Sequence, residues 1–188
     1  MKYFRIVDSF VPRDRWHLDD PRTERGNYVD PRNFTNGTVY RGESPLEIPV
    51  FRGETALDFT LGSFDMPIVT RRVMERIRTF CGASAQWVPA TIAGRDFRVE
   101  ILNILEVLDA IDEELSEISW RIKKDAISND VRTYGGIASL VLRRERVRGS
   151  RVFRLRGWEL PLIVCEPVKA ALEDACVTGI SYKELLIS

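Results

Sequence analysis

His17 is the only histidine in the chain, and Cys81, Cys165 and Cys176 are its only thiols. A single histidine excludes a two-histidine metal site and the helical His-Glu-x-x-His motif, and it leaves a Ser–His–Asp triad with one candidate base. His17 lies in "RWHLDD", a turn-rich stretch. A surface histidine beside a packed Trp16 is the plainer reading there than a catalytic base. The cysteines are odd in number and form no Cys-x-x-Cys pair, which suits neither a disulfide framework nor zinc. Cys165 stands just before a helix, where the dipole lowers a thiol pKa. It also follows the apolar run Leu160 to Val164, so buried, reduced thiols are expected. No GxGxxG, GxxxxGK[ST] or GxSxG signature occurs, and no cofactor is implied.

Charge is the second source of chemistry. Lys+Arg and Asp+Glu are 28 each, for a net charge of zero. That balance argues against a dedicated nucleic-acid or membrane-surface protein. The charges are nevertheless segregated. Glu100, Glu106, Asp109, Asp112, Glu113, Glu114 and Glu117 are acids, with no Lys or Arg in 100–117, and seven arginines stand between Arg143 and Arg156 against one acid, Glu145. Three readings compete. The segments pair across a sheet or form separate wet faces, each charge adding little. The arginine run binds nucleic acid, for which aromatic interleaving beyond Phe153 is missing. Or the acidic segment meets a basic partner protein.

The elements that must position these residues read as α+β. The 188 residues, 44% of them hydrophobic, suffice for one domain over 1–188. Strands are expected at Lys2–Val7, Pro45–Phe51 and Ala56–Leu61, the last two turning at Gly53. A long strand pair follows, joined at Gly94-Arg95-Asp96, its second strand running to about Val107. A helical turn is expected in "DAIDEELSE". Alternation resumes in "SWRIKKDAI", "IASLVLRRERV" and "RVFRLRGW", the last closing at Gly157. The polar 12–42 segment is irregular, tacked to the body by Trp16, Leu18, Tyr28 and Phe34. Two amphipathic helices are expected, Thr70–Phe80 with Thr70 as N-cap and Gly82 as stop, and Cys165–Cys176 with Pro167 in its first turn. Both pack on a mostly antiparallel sheet.

The two helical units carry a repeat. At an offset of 95 positions, Ile68 falls on Ile163, Val73 on Val168, Ile77 on Leu172, Cys81 on Cys176 and Trp87 on Tyr182. Shared burial needs explain the aliphatic matches, and a strand–helix duplication explains them equally. No stretch is long enough for a signal peptide or a membrane span, so a soluble cytoplasmic protein with no membrane partner is expected.

The order of short motifs adds a resemblance. Trp16 and Leu18, Phe34 with Gly37, Leu57-Asp58-Phe59, Pro67-Ile68-Val69 before a helix, Asn103, the Asp109–Ser116 stretch, Phe153-Arg154-Leu155 and Thr178-Gly179 follow one another. The series resembles the Myxococcus-type immunity protein family of bacterial polymorphic toxin systems over nearly the whole chain. "KKDAISNDVRTYGG" (Lys123–Gly136) and "RRERVRGSR" depart from it. The resemblance implies a bacterial cytoplasmic protein that binds a cognate toxin encoded nearby, using a complementary surface and no active site. Toxins of this kind that act on nucleic acid carry basic clefts, where an acidic inhibitor imitates the phosphate backbone. The expected contact residues are therefore Asp109, Asp112, Glu113, Glu114 and Glu117, flanked by Trp120. Because these acids also lie in the shared stretch, a structural role competes, with Asp112 or Ser116 capping a turn. An enzyme using Cys165 or a carboxylate pair, and a nucleic-acid module using 143–156, are the alternatives.

Overall fold

A computed structural model describes residues 1–123 and 131–188. Residues 124–130, part of the stretch that departs from the family pattern, lie outside the described residues. The apolar alternation of the opening residues forms β1 (Tyr3–Asp8). The polar segment then yields only β2 (His17–Leu18), β3 (Arg22–Thr23) and a 3-10 turn at Pro31–Phe34. Trp16 and Phe34 tack it down, but Tyr28 is 62% exposed and does not; Val29, buried beside it, takes that role. Pro49, with no N–H to give a ladder, divides the expected 45–51 strand into β4 (Leu46–Ile48) and β5 (Val50–Arg52).

After β6 (Phe59–Leu61) and β7 (Pro67–Val69) comes helix α1 (Arg71–Cys81). β8 (Ala85–Ile92) and β9 (Arg98–Ile104) follow. β9 stops before Val107 because the chain changes sheets there. It resumes as β10 (Val107–Leu108) beside different strands. β11 (Glu117–Lys123) and β12 (Val131–Ser139) pair with each other. β13 (Val141–Leu142) leads into a four-residue helix α2 (Arg144–Val147), where alternation predicts more strand; Val147 turns inward there, under Tyr3. The chain closes with β14 (Val152–Leu155), β15 (Trp158–Cys165), α3 (Glu166–Asp174), β16 (Ile180–Glu184) and β17 (Leu186–Ile187). The fold is α+β and mainly β. A six-stranded sheet has the order β3-β4-β8-β9-β7-β6, and a five-stranded sheet the order β10-β14-β15-β1-β16. Among the described residues no helix is long and apolar enough to cross a membrane.

The 95-residue repeat is carried into three dimensions. β7–α1–β8 and β15–α3–β16 are each a strand, a helix and a second strand, with one antiparallel strand inserted between the two. β9 is the insert in the first unit and β1 in the second. The registers correspond. Ile101 faces Ile68 on one side and Val88 on the other, while Arg5 faces Ile163 and Lys183, each 95 positions further on. The helices run antiparallel. Arg72, at the start of α1, donates to the carbonyl of Ala175 just past the end of α3, and Phe80, near the end of α1, lies under Arg151, whose carbonyl accepts from Cys165 at the start of α3. Val73, Ile77 and Cys81 share one core with Val168 and Leu172.

Period-two alternation gives the six-stranded sheet two apolar faces. Val69, Leu102 and Ile104 join the core under the helices and the five-stranded sheet. Ile68, Val88, Ile92 and Ile101 face a second cluster, closed by Trp16, Val29 and Phe34. The irregular segment is thus the lid of the second core.

Candidate partner-binding surface

The acidic stretch is held by its neighbours. β10 runs parallel to β14, with Val107 opposite Arg154. Ile111 bridges Leu142, and the N–H of Asp112 donates to Val141 O at 2.9 Å. Ala110 and Ile111 are buried by these contacts, so the polar residues beyond them turn outward. Ser116 N–H then bonds Asp112 O at 2.9 Å, closing the single helical turn expected here.

The six named residues divide by role. Asp109, Glu114 and Glu117 are exposed. Asp112 caps the turn, accepting from the N–H groups of Glu114 and Leu115 at 3.2 Å each. The Ser188 hydroxyl first, and then those two amides, hold its carboxyl below the usual carboxylate range. Glu113 accepts the Tyr134 hydroxyl at 2.5 Å; burial and then this carboxylate push the phenol up. Trp120 is half-buried, its ring 5.1 Å from Tyr134 and 4.2 Å from the guanidinium of Arg132. Leu115 and Ile122, not singled out from the sequence, are each 60% exposed. The signal for Ile122 was present, since it shares the Trp120 face of β11 by simple alternation.

The arginine run is not one surface. Arg144, Arg146, Arg148, Arg151 and Arg156 are exposed, but Arg154 is fully buried. Its guanidinium donates to the carbonyls of Glu159 (2.6 Å), Leu160 (2.8 Å) and Asp65 (3.0 Å). Burial lowers its pKa to about 10. The backbone of the run also clasps the acidic stretch, Arg143 N–H donating to Ala110 O and Arg156 N–H to Leu108 O, both at 2.9 Å. The two segments therefore lie side by side, joined through their backbones.

The two buried thiols, Cys81 and Cys165, are not activated. Cys165 is 1% exposed, and burial outweighs the helix amides and raises its pKa. Burial pushes Cys81 up to about 12. Cys176 departs from the expectation of burial. It is exposed, at φ 49°, because it lies past the end of α3 whereas its counterpart Cys81 ends α1. His17 is exposed, its Nε2 3.2 Å from Arg52 Nη2. A hollow of about 550 Å³ opens between β1 and α2, with Tyr3, Arg144, Glu145 and Arg148 among its lining residues. No nucleophile–base pair stands in it.

Most motif residues that carried the resemblance are structural anchors. Asp58 Oδ2 accepts the N–H and hydroxyl of Thr178 at 3.0 and 2.9 Å. Its Oδ1 accepts the Thr70 hydroxyl at 3.1 Å, so Thr70 occupies the N-cap position of α1 without capping it. Asn103 donates to Thr38 O at 2.8 Å, and Phe34 is fully buried; both fasten the irregular segment. These long-range anchors explain why an ordered series of short motifs, each weak alone, spans the chain. The family model described as "Immunity protein family (Imm11)" matches residues 7–186. No curated protein matches the chain. The chain belongs to the Imm11 immunity protein family.

Proposed function

We propose that this protein neutralises a cognate toxin by stoichiometric binding, without turnover. The observation that carries the reading is the family match over residues 7–186. In this reading the toxin is encoded nearby, and the complex forms in the bacterial cytoplasm. A patch of about 800 Å² on this protein suffices to cover or distort a toxin's working surface. The proposed contact residues are Asp109, Asp112, Glu113, Glu114, Glu117 and Trp120. The buried, raised thiol of Cys165 gives the enzyme alternative no nucleophile at that position. Burial of Arg154 removes one cation from the nucleic-acid alternative.

The test is co-expression with the product of the adjacent upstream gene. Growth is expected to be rescued, and the two proteins are expected to co-purify. Toxicity that persists, with no complex recovered, counts against the reading.

A further inference from the structure

Resting on that reading, we infer that the root of the β11–β12 hairpin and the acidic turn form one docking face for a basic toxin segment that carries apolar side chains between its cations. The division of labour follows from the geometry. Leu115, Trp120 and Ile122 are the anchors, Asp109, Glu114 and Glu117 steer, and Asp112 and Glu113 hold the face in shape.

Tyr134 makes this one surface. Its hydroxyl is bonded to Glu113 on the turn, and its ring packs on Trp120 of the hairpin. Tyr134 also packs against the main core with Ile118 and Ile137, so the root is anchored from below. Further out along the Trp120 face the core is absent, and Ile122 stands 60% exposed with Arg132 as its cross-strand partner. Leu115, also 60% exposed, tops the turn. A lone exposed leucine needs no explanation. Two exposed aliphatics around a preordered Trp–Tyr–Arg stack are another matter, since those three types are enriched where partners bury surface. Within the described residues β11 and β12 pair only with each other, so the hairpin has outer edges free to lie against another chain.

Charge chooses the occupant. The carboxylates of Asp109, Glu114 and Glu117 are exposed, and none is in an ion pair among the described residues. An acidic partner would be repelled by them. A basic one gains in encounter rate and in register.

The test is titration calorimetry of the purified protein with the purified product of the adjacent upstream gene, at low and high salt. The double variant Leu115→Asp/Ile122→Asp is expected to bind about 30-fold more weakly and to keep its salt dependence. The triple variant Asp109→Lys/Glu114→Lys/Glu117→Lys is expected to bind about tenfold more weakly at low salt and to show a flattened salt dependence. Phe10→Asp, at a site 87% exposed and outside the residues assigned to this face, is expected to bind like the wild type. All five altered side chains on the face are at exposed positions, so unfolding midpoints should match the wild type. If the wild type binds and both face variants bind within twofold of it, the docking face is overturned and the immunity reading stands. If the wild type neither binds nor rescues growth, the immunity reading falls and the face falls with it.

Discussion

Replacing Arg154 with alanine is expected to cost about 3–5 kcal/mol of folding stability, read as the shift of a urea or thermal unfolding curve. The guanidinium is fully buried and satisfies three backbone carbonyls, those of Asp65, Glu159 and Leu160. Truncation leaves these acceptors without their donor, at roughly 1–3 kcal/mol each, and opens a void in the main core. Part of that loss is offset, because burying a cation is itself unfavourable, as its lowered pKa of about 10 records. Lysine is expected to recover only part of the loss. Its single ammonium lacks the planar fork that reaches separated carbonyls. Stability within about 1 kcal/mol of wild type for the alanine variant would contradict this role.

Gly179→Ala is expected to lose about 3–4 kcal/mol, for a reason local to one backbone crossing. Gly179 has φ +94°, and a Cβ built there would sit 2.0 Å from Phe59 O and 3.1 Å from Leu57 Cβ. The obstacle is backbone of β6, which is bound in turn by Phe59 N–H on Thr178 O at 3.1 Å. It cannot yield without breaking the Asp58–Thr178 junction between the two repeat units. Gly94→Ala is the control. Gly94 has φ +69° and nothing within 4 Å of the added Cβ, so only the conformational cost of about 1 kcal/mol is expected. Equal losses at the two glycines, measured by urea unfolding, would show that the crossing is not what Gly179 protects.

The local grammar of the chain was legible. The spacing of Val73, Ile77 and Phe80 marked α1, Gly82 ended it at φ 53°, and Gly94-Arg95-Asp96 joined β8 to β9. The offset of 95 marked two units whose registers do correspond. The partners were not legible. β1, at the start of the chain, fills the slot between β15 and β16, a pairing set by tertiary contacts with no local signal. The periodicity after Ile104 ran across a change of sheet, which alternation does not register. The acidic stretch stood out by composition, but composition treats its members alike. The capping role offered for Asp112 is met at the turn amides, but only the fold sends Glu113 to Tyr134 and leaves Asp109, Glu114 and Glu117 outward. Arg154 was hidden for the same reason. Inside an arginine run it reads as solvated, yet all four residues of β14 are buried.

The central claim is neutralisation by binding alone, and one titration tests it most directly. The toxin, once purified from the co-expressed complex and refolded, is assayed for activity while this protein is added in increasing amounts. Stoichiometric neutralisation predicts a linear fall in activity that ends at one equivalent, followed by no further change. Complete loss of activity at a small fraction of an equivalent would mean turnover, and undiminished activity at several equivalents would mean no neutralisation; either result contradicts the account.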